Sequence, residues 1–165
     1  MSMVPSKLAL ALFGSLIVSI PAGAETAEEW VRLGARVHGG YGSFIPVGIK
    51  IGLDAVERLK AEPRSLTVLY YDNPKAPCAC FADGIAIATR ASFGQRTVTL
   101  AAEDAPDDQA AVIVIRPRKG GEGLKYSIPM SSLPRLVEIN KNPDPMFRHN
   151  EVMKADGLYR VEQVK

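Results

Sequence analysis

Two short segments of the sequence contain the residue types that bind metals or act as nucleophiles. Cys78-Ala79-Cys80 holds both cysteines of the chain, and His38 begins the glycine-rich run His38-Gly39-Gly40-Tyr41-Gly42-Ser43. Thiolates and imidazoles are ligands that zinc and copper prefer. If the fold brings the two segments together, Cys78, Cys80 and His38 would form a transition-metal site with one coordination position open.

The cysteine pair stands at the entrance to a predicted helix over residues 81–90. The dipole at a helix N-terminus lowers a thiol pKa and raises its reactivity, so a thiol redox catalyst is an alternative, with Cys80 attacking and Cys78 resolving. A third interpretation is that both are small half-buried residues, or an oxidised pair without a role, because free cysteine often serves as a small hydrophobe. A spacing of two residues allows at best a strained disulfide.

The glycine-rich run lies between two predicted helices and leaves backbone N–H groups open at the start of the second, which favours an anion. Alternatively, the glycines only permit a tight turn, and His38 complements a helix C-terminus. We expect His38, Lys50 and Asp83 to contact a ligand, Lys50 by its charge and Asp83 by orienting a neighbour. Asp83 would also complement a helix dipole without any function. His149 is interpreted as a surface residue.

Composition restricts the class of protein. The chain has 165 residues, of which 47% are hydrophobic and 23% charged, with a formal net charge of +2. This is enough to bury one core, and the near-neutral charge argues against nucleic acid as a partner. Two cysteines cannot form a disulfide framework or a four-cysteine zinc site within one chain.

The first 24 residues have the pattern of a secretory signal peptide. Lys7 precedes an uncharged apolar run, and small residues at Pro21-Ala22-Gly23-Ala24 suit cleavage after Ala24. The run from Leu8 to Ile20 is shorter than the roughly 20 residues that span a bilayer. The sequence therefore predicts a single mature domain over 25–165, periplasmic or secreted, with no stable membrane anchor.

The remaining pattern predicts an α+β fold. A capping box at Thr26 begins a helix over 26–38, and apolar spacing predicts a second helix over 46–60. β-branched and aromatic residues predict four strands, which would form one sheet packed by helices. These strands cover 66–71, 97–101, 111–116 and 124–128. Short helical segments follow Ser132 and occupy about 146–154, by the same periodicity.

These segments together resemble the FmdE-like domain family of formylmethanofuran dehydrogenase proteins across roughly residues 30–128. His38-Gly39 followed by Gly48, Lys50 and Gly52 is similar to the family's His-Gly-His-x-Cys-Pro-Gly run and its Gly-x-Arg-x-Gly helix. The run from Cys80 to Ile85, with Thr89, Phe93 and Gly94, is similar to Cys-x-x-Asp-Ala-Ile-Gln leading to Thr-Gly-Cys-Thr-x-Gly. The resemblance implies an α-β-α-β-β-β unit with a mixed sheet.

The sequence also departs from the family pattern at three ligand positions. Gly40 stands where the family has its second histidine, Gly42 where it has the cysteine before Pro-Gly, and Ala91 where it has the later cysteine. His38, Cys80 and Asp83 remain. In the methanogen complex the FmdE polypeptide is an accessory component, so the resemblance implies a fold and a pocket more than a reaction.

The interpretation we favour is a non-catalytic exported domain that holds zinc, another transition metal or a small anionic ligand in a pocket lined by His38, Cys78 and Cys80, serving an oxidoreductase system. The alternatives are a thiol-dependent redox enzyme and a partner-binding module with a degenerate site. In that module Tyr41, Phe44 and Phe93 would form a recognition surface.

Overall fold

The computed structural model describes residues 25–165. Eleven elements follow one another in this part of the chain. The helices are α1 Ala27–His38, α2 Phe44–Arg58, α3 Cys80–Thr89, a 3-10 turn Met130–Ser132, α4 Leu133–Asn140 and α5 Pro145–Lys154, and the strands are β1 Leu66–Asp72, β2 Val98–Leu100, β3 Gln109–Pro117, β4 Gly123–Pro129 and β5 Arg160–Val164. The predicted signal peptide lies outside the described residues.

The strands form one mixed sheet in the order β2-β1-β3-β4-β5. β1 and β2 are parallel and α3 connects them, whereas the other neighbouring pairs are antiparallel. The predicted α+β class is confirmed, and the structure adds β5 to the four expected strands. β5 pairs with β4 from Gly123↔Val164 to Ser127↔Arg160.

Buried and more exposed residues alternate along the central strands, so one face of the sheet lies against the core. In β1, Leu66, Val68 and Tyr70 are buried while the residues between them are partly exposed. Apolar residues of α2 and α3, including Ile49 and Ile85, belong to the same core cluster. The sheet is therefore covered on this face by a layer of helices.

Helices α2 and α3 cross at backbone contact because each has a glycine at the crossing. A Cβ added to Gly48 would overlap the carbonyl oxygen of Phe81, and one added to Gly84 would overlap that of Ile45. This close approach fixes the start of α3, and with it Cys80, against α2.

Local sequence signals set both ends of α1 and the start of α5. Thr26 and Glu29 form a capping box at the start of α1, and Gly39 closes its C-terminus with φ 87°. Asp144 caps α5 by accepting from the Met146 N–H at 2.9 Å.

Among residues 25–165, every helix is too short or too polar to cross a bilayer.

Candidate metal centre and adjoining pocket

The ends of three elements meet at the candidate site. His38 is the last residue of α1, Cys80 is the first residue of α3, and Cys78 lies in the loop that joins β1 to α3. The burial changes across the group: His38 is exposed, Cys78 is half-buried and Cys80 is buried. The site therefore lies at the protein surface with its sulfur side directed inward.

The structure brings together the three residues that the sequence suggested as metal ligands. One ligand atom from each of His38, Cys78 and Cys80 lies within 4.8 Å of the others. Ligands of a tetrahedral zinc ion with bonds of about 2.0–2.3 Å are separated by roughly 3.5–3.8 Å. Small side-chain rotations would therefore place all three around one ion, and this group can hold a metal.

The two cysteines are joined as a disulfide in this structure, with their Cα atoms 5.3 Å apart. The Cys80 N–H, at the start of α3, also donates to Cys78 Sγ at 3.3 Å. Cysteine binds a metal as the thiolate. The two cysteines can therefore bind a metal when they are reduced and cannot when they form the disulfide. The helix N-terminus at Cys80 favours the negative charge that a thiolate carries.

A carboxylate fixes the histidine ring. His38 Nδ1 lies 2.7 Å from Asp83 Oδ2, and the two side chains are 35% and 39% exposed. With Nδ1–H donating to the carboxylate, the lone pair of Nε2 faces away from Asp83 and is free to bind a metal. This carboxylate–histidine arrangement orients metal-binding imidazoles in many proteins. Asp83 was expected to orient a neighbour, and the structure places it against His38. A ligating role for this set stays a prediction.

An open pocket of about 840 Å³ adjoins the cluster. Its wall contains His38, Cys80 and Asp83 together with apolar side chains of α1, α3, β2 and the loop between α3 and β2. These apolar residues are Leu33, Val37, Ala82, Ala86, Ile87, Phe93, Val98 and Leu100. The volume lies within the range of about 300–1,000 Å³ that is typical of small-molecule sites.

Tyr70 also lines this pocket, and sequence reasoning missed it. Its side chain is 2% exposed, and its hydroxyl has no hydrogen-bond partner among residues 25–165. Burial raises the pKa of Tyr70 well above its usual range, and the charges of Asp72 and Asp83 raise it further. Tyr70 therefore keeps its proton and is a hydrogen-bond donor without an acceptor.

Lys50 does not lie in this pocket, which corrects its expected role as a ligand-binding charge. Its ammonium group donates to the carbonyl oxygens of Met153 at 3.1 Å and Ala155 at 2.5 Å. Both acceptors lie at the C-terminal end of α5, where a cation complements the helix dipole. Lys50 thus connects α2 to α5 and offers no free charge to a ligand.

At the start of α2, where an anion was one interpretation, both donors of Ser43 already have partners within the protein. The Ser43 N–H donates to Asn140 Oδ1 at 3.2 Å, and the Ser43 hydroxyl donates to the Leu136 carbonyl at 2.7 Å. Both partners come from α4, which covers the end of α2. The turn interpretation of the glycine run agrees with the structure at Gly39, the glycine of the run that has a positive φ.

His149 was expected at the surface, and this prediction is wrong. The side chain is 3% exposed, and Nδ1 lies 2.7 Å from the Tyr41 hydroxyl. Burial lowers the pKa of His149 and raises that of Tyr41, so the phenol donates to a neutral imidazole. Tyr41 and Phe44 are core residues and not a recognition surface, whereas Phe93 is 74% exposed.

Comparison with known families finds one match that covers most of the chain. Residues 37–157, well over half of the chain, match the family described as "FmdE, Molybdenum formylmethanofuran dehydrogenase operon". The chain belongs to the FmdE family. A search of curated proteins gives no significant match.

Proposed function

We propose that this protein is an exported accessory domain of the FmdE type, which binds zinc or another transition-metal ion through Cys78, Cys80 and His38 and serves an oxidoreductase system. The observation that carries the proposal is the approach of the three ligand atoms to within 4.8 Å. Two soft sulfurs and one imidazole suit zinc or copper, which share such ligands. The FmdE family takes its name from a dehydrogenase operon, which supports the accessory role.

The arrangement of the cluster supports a metal that stays open to a further ligand. Three protein ligands leave one tetrahedral position free, as in catalytic or transfer zinc sites. Bound there, the ion would supply Lewis acidity at the polar end of the pocket. The protein itself contributes the α3 N-terminus beside Cys80, and Asp83, which fixes the ring of His38.

A zinc competition titration tests the proposal. Protein reduced with a phosphine and stripped of metal is titrated with zinc against a chromophoric chelator. We expect one equivalent to bind, with the affinity lowered in Cys78→Ser and Cys80→Ser and binding lost in the disulfide form. His38→Gln should bind more weakly than the wild type. Failure of the reduced wild type to compete for zinc, copper or nickel would end the proposal.

The disulfide favours a second candidate function, thiol–disulfide exchange. A partner dithiol would attack the Cys78–Cys80 bond, form a mixed disulfide, and leave as a disulfide when the two cysteines become thiols. This balances two electrons and two protons between the partners. The rate of alkylation against pH tests it: a thiol that reacts only above about pH 8, the ordinary thiol range, is not an activated nucleophile.

Export is a separate part of the proposal and rests on the pattern of residues 1–24. Expression of the full chain in a bacterium, followed by N-terminal sequencing of the protein in the periplasmic fraction, tests it. We expect the mature protein to begin at Glu25. An intact N-terminus and a purely cytoplasmic product would contradict export while leaving the metal proposal standing.

A further inference from the structure

The two edge strands of the sheet carry different kinds of residue. Among residues 25–165, the order β2-β1-β3-β4-β5 leaves β2 at one edge and β5 at the other. β5 carries Arg160 and Glu162, and charged side chains protect an edge strand from pairing with another chain. β2, which covers Val98–Leu100, has no charged residue. The β2 edge therefore lacks the protection that the β5 edge has.

The backbone groups of β2 alternate between β1 and the open edge. The Thr97 carbonyl accepts from an N–H of β1 at 2.7 Å, and the Ala101 N–H donates to a carbonyl of β1 at 2.8 Å. Because successive residues of a strand direct their backbone groups to opposite edges, those of Val98 and Leu100 point away from β1. In the described part of the chain, no strand pairs with this side of β2.

The open edge of β2 is complementary to itself. If a second copy of β2 runs antiparallel with Thr99 on the two-fold axis, Val98 of each copy lies opposite Leu100 of the other. The outward N–H and C=O groups of these residues then form a hydrogen-bonded pair, in which both N–H···O bonds are exchanged. Two-fold symmetry repeats this pair on the other side of Thr99.

Charges at the two ends of β2 favour the same antiparallel orientation. Arg96 precedes the strand, and Glu103 and Asp104 follow it. All three are exposed, and among the described residues none of them belongs to an ion pair. Antiparallel pairing about Thr99 brings Arg96 of each copy beside Glu103 of the other, whereas parallel pairing would bring like charges together.

Apolar side chains beside β2 are exposed in the single chain. Phe93 is 74% exposed, Leu100 59% and Val37 57%, and these are the three most exposed large hydrophobic side chains of the described residues. All three line the pocket to which Val98 also belongs. Residues opposite one another in a ladder share a face of the sheet, so Leu100 of one copy would pack on Val98 of the other. The two pockets would then meet across the axis and cover apolar surface.

We propose that β2 pairs antiparallel with β2 of a second copy of this chain, with Thr99 on the two-fold axis. The partner is a second copy because the backbone groups, the Val98–Leu100 contact and the terminal charges all complement themselves in this one register. The inference goes beyond the proposed function and does not depend on a metal, since none of these residues is a metal ligand. Because β2 is short, we expect a reversible dimer.

Sedimentation equilibrium over a wide range of protein concentration tests the association. The protein expressed from the full chain should show a monomer–dimer equilibrium. Leu100→Lys should raise the dissociation constant of the dimer at least about tenfold, because it places a charge in the apolar contact. Phe147→Lys, at an exposed phenylalanine of α5, is the matched control and should leave the constant unchanged. Thermal unfolding of both variants shows that they are folded.

Reversal of the charges tests the orientation of the two strands. Arg96→Glu and Glu103→Arg should each raise the dissociation constant about threefold, as the loss of exposed ion pairs does. The double variant should restore the wild-type constant, because opposite charges meet again. Arg118→Glu, at an exposed residue after β3, should have no effect.

A cysteine on the axis tests the register. In Thr99→Cys the new side chain would lie opposite its own copy, with the two Cβ atoms about 4.5–5.5 Å apart. Mild oxidation should therefore yield a covalent dimer on a non-reducing gel. Glu162→Cys, at an exposed residue of β5, is the matched control and should stay monomeric on the same gel.

Several outcomes would overturn the proposal. A monomer at every concentration would reject the second copy and leave this edge to a strand of another protein. A dimer that Leu100→Lys leaves intact, or that Glu162→Cys cross-links in place of Thr99→Cys, would place the interface elsewhere. Failure of the double charge variant to restore the dimer would reject the antiparallel register. Loss of zinc binding alone would leave this proposal intact, and loss of the dimer alone would leave the metal proposal intact.

Discussion

Nδ1 of His38 lies 2.7 Å from Oδ2 of Asp83, a residue 45 positions further along the chain. The contact joins the end of α1 to the first turn of α3, next to Cys80. It orients the imidazole and, with Nδ1–H donating to the carboxylate, leaves Nε2 as the ring nitrogen that can bind a metal. The position of α1 relative to α3 therefore determines how the imidazole of His38 is oriented in the cluster.

Asp83→Ala should lower the zinc affinity of the reduced protein about 10- to 100-fold, because the ring of His38 loses its orienting partner. The temperature of unfolding without metal should change little, since partly exposed ion pairs contribute weakly to stability. Competition titration and thermal unfolding measure the two effects. Asp107→Ala, at a carboxylate that is 87% exposed and paired with Lys75, is the matched control. An unchanged zinc affinity in Asp83→Ala would show that His38 is not held as a ligand.

Gly48→Ala should destabilise the fold by about 1–3 kcal/mol, as overpacking of a close contact does. The added methyl group would overlap the carbonyl oxygen of Phe81, and this outweighs the gain of about 1 kcal/mol in helix propensity. Urea unfolding measures the change. Gly40→Ala is the control, because nothing lies within 4 Å of its added Cβ. Equal stability of the two variants would contradict the close crossing of α2 and α3.

Lys50→Met should destabilise the protein without weakening zinc binding. The substitution keeps the aliphatic stem and removes the donors to the carbonyl oxygens of Met153 and Ala155. Hydrogen bonds made by charged groups contribute about 1.5–3 kcal/mol each, and this sets the scale of the loss. Lys119→Met, at an exposed lysine, should leave stability unchanged. A loss of metal affinity in Lys50→Met, with stability retained, would restore Lys50 to the site.

The stability of the protein should fall as the pH is lowered from 7.5 to 5.5, in part through His149. Burial lowers the pKa of His149 below its usual value of 6.5, so the unfolded chain binds the proton more readily. The contribution of the neutral ring is fully present above pH 6.5 and decreases as the pH falls towards the lower folded pKa. Urea unfolding at several pH values should show a shallower dependence in His149→Gln. The same pH dependence of stability in the wild type and in His149→Gln would show that His149 is not its cause.

Most of the fold could be predicted because its signals are local. The Thr26–Glu29 capping box, the glycine after His38 and the β-branched runs place α1 and four strands within a few residues of their observed bounds. β5 was missed because its pattern is exposed apart from Val161 and Val164, which are partly buried. Such a strand forms because it pairs with β4, and no local pattern in the sequence indicates that pairing.

The candidate site could be predicted only where residue type alone identified the chemistry. Cysteine and histidine are few enough for His38, Cys78 and Cys80 to be singled out, and the approach of the end of α1 to the start of α3 brings them together. Tyr70 looked like an ordinary strand residue, because only the fold shows that its hydroxyl lacks a partner among residues 25–165. His149 and Lys50 were misjudged because their partners lie more than 100 residues away.

The cobalt spectrum of the reduced protein tests the metal centre most directly. Cobalt(II) replaces zinc in such sites and gives sulfur-to-metal charge-transfer bands whose intensity reports the number of thiolates bound. We expect one equivalent of tetrahedral cobalt with two thiolates, half the charge-transfer intensity in Cys78→Ser and in Cys80→Ser, and no binding to the disulfide form. An octahedral spectrum without charge-transfer bands, or the same spectrum in all three proteins, would contradict coordination by the cysteine pair.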